Sequence, residues 1–432
     1  MSARARELFG LLPVTLLVTA GFTAVLLSRT ANVNTVTVTY GAFFLGCCLF
    51  AHLFIRARLA DADPYLFPLA ALLAAFGLVM IYRIDTDLAR DQAQWFVVGL
   101  ALFCATVLLL RDHRALERYR YVIAAAGIAL LLMPRLPLVG TEVNGAFLAI
   151  ELGPVQFQPA EFAKLAIMIF LASYLNDTRD VLVRGRFPRV SLKHLGPLLL
   201  IWGAAMFMLV FIKDLGSSLM FFGGFLAVLY VATQRLSFVL IGVAMFLAGA
   251  TFFARTVGHV QERIDIWLDP FAPDIVDKAG YQIAQSLFAQ ADGGLFGRGL
   301  GEALLELPGG GRILPAAQTD LIYALIADEL GLFGAAAVLL AYLLFIARGF
   351  KAALVASDGF SKLLATGLTA VFALQVFVIV GGVTRVIPLT GVTLPFISYG
   401  GSSIVANFVL LALLLIVSDS ARRGPERSTP LR

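Results

Sequence analysis

The stretch TLPFISYGGSSIVAN (residues 393–407) runs directly into the apolar segment FVLLALLLIVS (408–418). An apolar run of about 20 residues can cross a bilayer as a helix, but Pro395 and the Gly400-Gly401 pair interrupt a helix before this run begins. Broken helices at membrane depth are tolerated where they line a cavity. The stretch therefore predicts a membrane helix that begins at a polar turn facing a cavity.

The rest of the chain repeats the apolar part of this pattern. Its 432 residues are 60% hydrophobic and only 14% charged, whereas soluble domains carry about 25% charged residues. We predict an all-α polytopic membrane protein of about 12 transmembrane helices. The predicted spans lie near 9–28, 38–55, 65–82, 95–110, 121–138, 158–175, 195–212, 217–234, 236–254, 318–346, 363–384 and 395–418.

Lys and Arg residues predict the orientation of these spans. They concentrate in the connections that would be cytoplasmic if the N-terminus is cytoplasmic, which predicts that both termini lie inside. The first apolar run has no cleavage site and is interpreted as a retained helix. Topology also accounts for the net charge of +5, so no nucleic-acid partner is predicted. The three cysteines lie in apolar runs and suggest no disulfide framework.

One connection is far longer than the others. Residues 255–317 form a predicted outer loop before the tenth span, and long ordered loops are usually functional. Within this loop, YQIAQSLFAQ (281–290) predicts an amphipathic helix with Ile283, Leu287 and Phe288 near one face.

Charged residues inside spans are costly and mark candidate sites. Glu161 and Lys164 are three residues apart, so they share a helix face and can form an ion pair. The pair could be structural or could bind a charged head group. Asp328 and Glu329 also lie within an apolar run, and Glu329 is expected to pack on the face opposite Asp320.

Two further candidates lie at the predicted outer surface. Lys213, in KDLGSS (213–218), could be an interface charge or could line a cavity. Asp320 lies where the tenth span begins and could be an ordinary helix-start residue or a functional carboxylate. The topology places both residues on the same side as the 255–317 loop and the 393–407 stretch. This convergence predicts an outward-facing polar cavity in an apolar bundle.

Such a cavity suits an amphiphilic substrate. Arg298 and Arg312 lie among glycines and could approach a diphosphate closely. We see no metal-ligand spacing and no phosphate-binding loop of the ATPase type, so no cofactor is evident; a divalent-cation requirement stays open. Two classes remain, an enzyme acting on a lipid-linked donor and a transporter of the same lipid. The one-sided polar groups and the lack of a repeat favour the enzyme.

Six motifs occur in one order along the chain. They are QPAEFAK, KDLGSS, WLDPF, GYQIAQSLFAQADGGLFGRGLG, LP…QTDLIYALIADELGLFG and PLTGVTLPFISYGGSS. In these residues, roughly 65 to 418, the chain resembles the SEDS family of shape, elongation, division and sporulation proteins, which includes RodA and FtsW. The resemblance implies a ten-helix core at 61–418, preceded here by a two-helix extension at 1–60 and followed by a cytoplasmic tail at 419–432. Such an extension is similar to that of actinobacterial RodA-like members.

The resemblance also implies an activity. Members polymerise lipid II, an undecaprenyl-diphosphate-linked substrate, in the bacterial plasma membrane together with a class B penicillin-binding protein. The matched motif places the catalytic general base, which deprotonates the acceptor sugar 4-hydroxyl, at Asp320. The candidate substrate-binding residues are Glu161, Lys164, Lys213, Gln282, Arg298, Arg385, Ser398 and Ser402. A lipid II flippase and a scaffold for the transpeptidase are the alternatives.

Some positions depart from the family pattern. NGAFLAIELG (144–153) lacks the basic and aromatic residues usual before QPSE, so substrate contacts there are not carried over. Arg385 replaces a glycine and could bind diphosphate or anchor the chain at the interface. The choice between elongation and division stays open, although the short C-terminal tail favours elongation.

Overall fold

The computed structural model describes residues 3–30, 35–110, 112–136, 140–143, 146–152, 155–184, 203, 214–307 and 310–423. Within these residues the chain forms fourteen α-helices and three short strands. The helices are α1 (Ala3–Thr30), α2 (Thr35–Arg58), α3 (Leu66–Ile84), α4 (Thr86–Leu109), α5 (Ala115–Arg118), α6 (Arg120–Leu132), α7 (Pro159–Arg184), α8 (Leu215–Thr233), α9 (Leu236–Thr256), α10 (Gly258–Leu268), α11 (Tyr281–Gly293), α12 (Ile322–Val355), α13 (Gly359–Val383) and α14 (Gly401–Arg422).

Nine of the described helices are long and apolar enough to cross a membrane. They are α1, α2, α3, α4, α8, α9, α12, α13 and α14. The chain is therefore a multi-pass helical membrane protein, as predicted. The total of twelve spans stays a prediction, because all of the predicted span at 195–212 except residue 203 lies outside the described residues.

The fifth predicted span, 121–138, is shorter than expected. Helix α6 ends at Leu132 and is followed by a 3₁₀ turn at Met133–Arg135 that contains Pro134. Thirteen helical residues rise only about 20 Å, against about 30 Å for the hydrocarbon core. Proline cannot continue the backbone hydrogen-bond ladder, which explains the early end.

A small sheet follows α6 and was not predicted from the sequence. Strands β1 (Gly140–Val143), β2 (Ala146–Leu152) and β3 (Val155–Phe157) pair in the order β1-β2-β3, and both pairs are antiparallel. The sheet ends just before α7 begins at Pro159. Strand β2 consists of residues 146–152, which belong to the NGAFLAIELG segment that departs from the family pattern.

The chain forms two compact units. The first comprises Met1–Ala105, Arg263–Arg348 and Gln375–Leu411, and the second comprises Thr106–Glu262, Gly349–Leu374 and Ala412–Arg432. Asp320 and the 393–407 stretch belong to the first unit. Glu161 and Lys164 belong to the second. Each unit is described separately below.

In the first unit, small residues let α1 pack closely on α3. A Cβ added at Gly10 would lie 3.1 Å from Cβ of Pro68, and one added at Gly21 would lie 2.9 Å from a methyl group of Val79. The ring of Phe22 also meets Tyr82 edge to face at 4.9 Å between centroids. Close backbone approach through small residues is typical of membrane helix pairs.

A buried polar cluster fixes the start of α1. Glu7 is fully buried and pairs with Arg4 and with Nδ1 of His52, which lies 2.8 Å from its Oε1. Arg4 also donates to the carbonyl oxygen of Ala62. These contacts join α1 to α2 and to the turn before α3, and they leave each charge with a partner.

In the second unit, glycines again allow close packing. A Cβ added at Gly224 of α8 would lie 2.5 Å from a methyl group of Val371 and 3.3 Å from Met168. A Cβ at Gly367 of α13 would meet Val228 at 2.9 Å. Helices α7, α8 and α13 therefore pack with their backbones close together.

Helix α12 is broken inside the span, and the break belongs to the first unit. Gly331 has φ 67° and ψ −170°, a conformation that favours glycine. The freed backbone groups pair with the glycine-rich segment after α11: Arg298 N donates to Asp328 O, and Leu332 N donates to Gly294 O. Such exchange satisfies non-helical backbone within a membrane span.

We predict that the fold depends on the absence of a side chain at Gly77 in α3. A Cβ there would lie 2.5 Å from Cα of Ile397 and 2.6 Å from its carbonyl oxygen, so backbone would have to move. Gly77→Ala should cost about 1–3 kcal/mol of unfolding free energy. Gly46→Ala in α2 is the matched control, since its Cβ would meet nothing within 4 Å and helical alanine is intrinsically favoured by up to about 1 kcal/mol.

Thermal unfolding of both variants in detergent is the measurement. The account requires a lower midpoint for Gly77→Ala and an unchanged or higher midpoint for Gly46→Ala. Equal midpoints for the two variants would show that the contact between α3 and the 396–397 backbone does not constrain the fold.

Candidate functional site

Asp320 lies in a turn and not in the helix that follows. Helix α12 begins at Ile322, so the predicted span start at 318 is four residues early. Backbone bonds from Thr319 N and Leu321 N to the carbonyl oxygen of Ala316 shape the turn, and Ala316 has a positive φ of 53°. The carboxylate of Asp320 is thus presented from irregular backbone, half-buried, ahead of the membrane helix.

The 393–407 stretch holds this turn in place. Ser398 Oγ donates to the carbonyl oxygen of Thr319 at 2.7 Å and accepts from Leu394 N at 2.8 Å. Tyr399 N donates to the carbonyl oxygen of Gln318 at 2.8 Å. The 393–407 stretch therefore lies beside Asp320, as the convergence of polar segments predicted.

A side chain from α4 completes the support of this stretch. Gln92 is buried, accepts from Gly400 N at 3.2 Å and donates to the carbonyl oxygen of Ser398 at 3.3 Å. Tyr342 of α12 donates to the carbonyl oxygen of Pro395 at 2.6 Å. Phe396 is thereby kept in a conformation with φ 66°, which is unfavourable for an aromatic residue.

The surroundings of Asp320 raise the pKa of its carboxyl group above the ordinary value for aspartate. Burial raises the pKa of the Asp320 carboxyl to about 6, while the positive charge of Arg263 and a hydrogen bond with the Thr319 side chain lower it. Gly391, with φ 74°, lies against the carboxylate, since a Cβ there would be 3.6 Å from Oδ2. A carboxyl with this pKa is largely ionised at pH 7 and can still accept a proton.

Arg385 is bound by the end of α10. Its Nε donates to the carbonyl oxygen of Trp267 at 2.8 Å, its Nη2 donates to that of Leu268, and Trp267 Nε1 donates to the carbonyl oxygen of Arg385 at 3.1 Å. These bonds clamp the end of α10 onto the 384–391 segment. Both roles considered for Arg385, contact with diphosphate and anchoring at the membrane interface, stay predictions.

Arg298 lies in the segment that fills the break in α12. Its guanidinium pairs with Asp292 at 2.6 Å and with Asp328 at 3.4 Å, and its side chain is 39% exposed. Glu329 is fully buried and accepts from Arg83 Nε at 2.9 Å and from Gly301 N at 3.0 Å. Its predicted position on the face opposite Asp320 stays a prediction.

The predicted pair at the start of α7 is present in the second unit. Lys164 Nζ lies 2.5 Å from Glu161 Oε2, and both side chains are almost fully buried. The two opposite charges neutralise each other, as in a structural ion pair, and a charged ligand is not required to balance them. Binding of a head group by Glu161 or Lys164 stays a prediction.

Three other predicted residues have different outcomes. Lys213 lies outside the described residues, whereas its neighbour Asp214 caps α8 by accepting from Ser217 N at 2.9 Å. Gln282 is half-buried on α11. Ser402 is buried in the first turn of α14. Contact of these three residues with substrate stays a prediction.

Helix α11 matches the predicted amphipathic segment. Ile283, Ala284 and Ser286 are buried. Phe288 is 48% exposed, and its ring lies against that of Phe271 with the centroids 5.6 Å apart and the planes tilted by 42°.

Sequence reasoning missed Arg263, Gln92 and Gly391. Gln92 precedes an apolar run, and Arg263 is one charge in a polar part of the 255–317 loop. Gly391 lies within the PLTGVTLPFISYGGSS motif, where nothing in the sequence marks it as a neighbour of Asp320. Their contacts join segments that are far apart in sequence, such as Gln92 and Ser398. Among the described residues, no group of three or more His, Cys, Asp or Glu side chains could hold a metal ion.

Comparison with known proteins identifies the family to which this chain is related. The family described as "Cell cycle protein", which groups FtsW, RodA and SpoVE, matches residues 64–423. The chain belongs to this family. The match begins just after α2, so helices α1 and α2 precede the part that FtsW, RodA and SpoVE proteins share.

Individual relatives within the FtsW/RodA/SpoVE family cover most of the chain. Peptidoglycan glycosyltransferase RodA of Mycobacterium tuberculosis is 44% identical over 410 residues, which cover 91% of this chain and 85% of the relative. Stage V sporulation protein E of Bacillus subtilis is 31% identical over 378 residues, which cover 85% of this chain and 100% of the relative.

Solved structures of the family share the fold. A chain from a study of "structural coordination of polymerization and crosslinking by a peptidoglycan synthase complex" superposes with a TM-score of 0.68 at 29% identity, covering 84% of this chain and 99% of that chain. The crystal structure of Thermus thermophilus rod shape determining protein RodA gives a TM-score of 0.60 at 29% identity, covering 84% and 98%.

We predict that Ser398 positions the turn that carries Asp320. Ser398→Ala leaves a buried N–H of Leu394 and a carbonyl oxygen of Thr319 without this partner, which should cost about 1–3 kcal/mol of unfolding free energy. Thermal unfolding should show a lower midpoint than for the wild type. Ser357→Ala, at an exposed position, is the control and should leave the midpoint unchanged; a Ser398→Ala midpoint equal to it contradicts the positioning role.

Proposed function

We propose that this chain is a peptidoglycan glycosyltransferase that polymerises lipid II, with Asp320 as the general base. The observation that carries the proposal is the Asp320 carboxylate, half-buried ahead of α12, with a pKa near neutrality and a cation nearby. Similarity to the mycobacterial RodA, which bears the name peptidoglycan glycosyltransferase, extends over 91% of the chain and supports it.

The reaction requires one proton transfer and one displacement. Asp320 removes the proton from the 4-hydroxyl of the acceptor sugar, and the resulting nucleophilic oxygen attacks the anomeric carbon of the donor sugar. A new glycosidic C–O bond forms as the bond between the anomeric carbon and the diphosphate oxygen breaks. The lipid diphosphate leaves with both electrons of that bond.

The departing diphosphate needs positive charge beside it. Lys164, Lys213, Arg298 and Arg385 are the candidates from the sequence. Arg298 and Arg385 already contact protein groups, so either residue would have to exchange such a contact for the diphosphate. The 39% exposure of Arg298 makes that exchange accessible to a ligand. A divalent cation is a further possible source of charge, and no described residues form a cluster for it.

The setting of the reaction follows from the same proposal. The chain would act in the bacterial plasma membrane, with both termini cytoplasmic and Asp320 at the outer face, in line with the distribution of Lys and Arg. A class B penicillin-binding protein is the proposed partner, a choice supported by the similarity to a chain from a peptidoglycan synthase complex. The 44% identity to RodA favours cell elongation over division.

We predict that Asp320→Asn abolishes polymerisation of lipid II by the purified protein, alone and with its penicillin-binding partner. An amide cannot accept the proton, and loss of a general base typically costs about 10²- to 10⁴-fold in rate. Asp87→Asn is the control, since that carboxylate is exposed in α4. Glycan strands are measured by gel electrophoresis, and native elution on gel filtration confirms folding.

The alternatives give different results in the same variants. A flippase would translocate lipid II in proteoliposomes with the Asp320→Asn protein as with the wild type. A scaffold would support growth of cells that carry only the Asp320→Asn protein. Full polymerisation by Asp320→Asn would exclude Asp320 as the base.

The pKa of Asp320 predicts the pH dependence of the reaction. A general base works in its ionised form, so the rate should fall as the pH drops through about 6 and should level off above about pH 7. Initial rates of lipid II polymerisation at a fixed ionic strength provide the profile. A rate that rises towards acidic pH would contradict an ionised carboxylate as the base.

A further inference from the structure

Helix α10 contacts the 384–391 segment through one face. Arg263 and Trp267 are four residues apart and therefore lie on the same side of the helix. Trp267 exchanges hydrogen bonds with the backbone and side chain of Arg385. One turn earlier, Arg263 Nη1 donates to the carbonyl oxygen of Leu389 at 2.6 Å. The helix thus holds both ends of a five-residue segment.

This segment leads directly to the proposed base. Gly391 follows the Leu389 carbonyl by two residues and lies against the Asp320 carboxylate, at the distance of an ordinary van der Waals contact for an added Cβ. Arg263 is half-buried, so water screens its charge only partly. The positive charge of Arg263 lowers the pKa of the Asp320 carboxyl, against the larger opposite effect of burial.

We propose that Arg263 is a positioning residue for Asp320. Its guanidinium fixes the 389–391 backbone against the carboxylate through the Leu389 carbonyl, and its positive charge favours the ionised form of that carboxylate. This inference rests on the proposed function for the catalytic role of Asp320. The effect of Arg263 on the ionisation of Asp320 is a property of the resting protein and can be measured without any reaction.

Other charged groups around the site have separate contacts. On α10, Glu262 and Asp265 flank Arg263 in sequence and are exposed. On the 384–400 segment, Arg385 binds the carbonyl oxygens at the end of α10. The Tyr399 phenol on that segment is subject to the charges of Asp85 and Asp91 near the start of α4. These groups are unchanged in an Arg263 variant, so a shift in Asp320 titration reports the loss of Arg263 itself.

The experiment compares Arg263→Gln with Arg263→Lys in the intact purified protein. A hydrophobic carbodiimide labels protonated carboxyl groups, and mass spectrometry of the Asp320 peptide gives the fraction labelled at each pH. The wild-type midpoint should lie near 6. Removal of a nearby opposite charge should raise the midpoint by about one pH unit or more in Arg263→Gln, whereas Arg263→Lys should stay near the wild type.

Polymerisation rates in the same variants provide the second readout. If the midpoint rises from about 6 to about 7, Arg263→Gln should be about fivefold slower than Arg263→Lys at pH 6 and should approach it above about pH 8. Arg90→Gln, which removes an exposed arginine of α4, is the control. It should change neither the labelling midpoint of Asp320 nor the pH range in which the polymerisation rate falls.

Two outcomes would overturn the inference. An unchanged labelling midpoint in Arg263→Gln would show that Arg263 has no influence on the ionisation of Asp320. A raised Michaelis constant for lipid II, with the fall of the rate at acidic pH unchanged, would make Arg263 a substrate ligand instead. If the wild type makes no glycan strands but the midpoint still shifts, the proposed function fails and the Arg263–Asp320 coupling stands.

A cysteine variant that is modified after folding tests the same inference if Arg263→Gln does not fold. Arg263→Cys can be modified, once folded, with a cationic aminoethyl reagent or with a neutral reagent of similar size. The cationic product should restore a lower labelling midpoint for Asp320, and the neutral product should not. Equal midpoints for the two products would also overturn the inference.

Discussion

The hydrogen bond from Ser398 to the carbonyl oxygen of Thr319 joins the two irregular segments on which the candidate site depends. Turns at the end of membrane helices expose backbone groups that lipid cannot satisfy. Here the two turns supply hydrogen-bond partners for each other: Ser398 and Tyr399 donate to carbonyl oxygens of residues 318–319. Gln92 forms hydrogen bonds with backbone groups on the other side of the 398–400 turn. The position of Asp320 follows from this mutual support.

Close packing makes the arrangement rigid. Gly77 lets α3 approach the backbone of Ile397, and Gly401 lies against the indole of Trp95, 2.4 Å from the position of an added Cβ. Phe396 can therefore be held with a positive φ between these contacts. A strained residue persists only where its surroundings fix it, and such residues cluster at functional sites.

Much of this architecture could be predicted from the sequence, for identifiable reasons. Apolar runs longer than a bilayer is thick predicted the membrane helices, and Pro395 with Gly400-Gly401 predicted the turn before α14, because both are local properties. The break in α12 could not be predicted, since Gly331 alone is compatible with a continuous helix and only pairing with the 294–299 backbone reveals it. Similarly, Arg263 is unremarkable in sequence and acquires a role only through its contact with Leu389.

The most direct test of the account follows the ionisation of Asp320 and the reaction in the same samples. Infrared difference spectra of wild type against Asp320→Asn, recorded between about pH 4 and pH 9, report the protonated and ionised carboxyl separately. The account predicts that the carboxylate band and the rate of lipid II polymerisation rise together, with a midpoint near 6. Polymerisation at full rate while the Asp320 carboxyl is still protonated would contradict it.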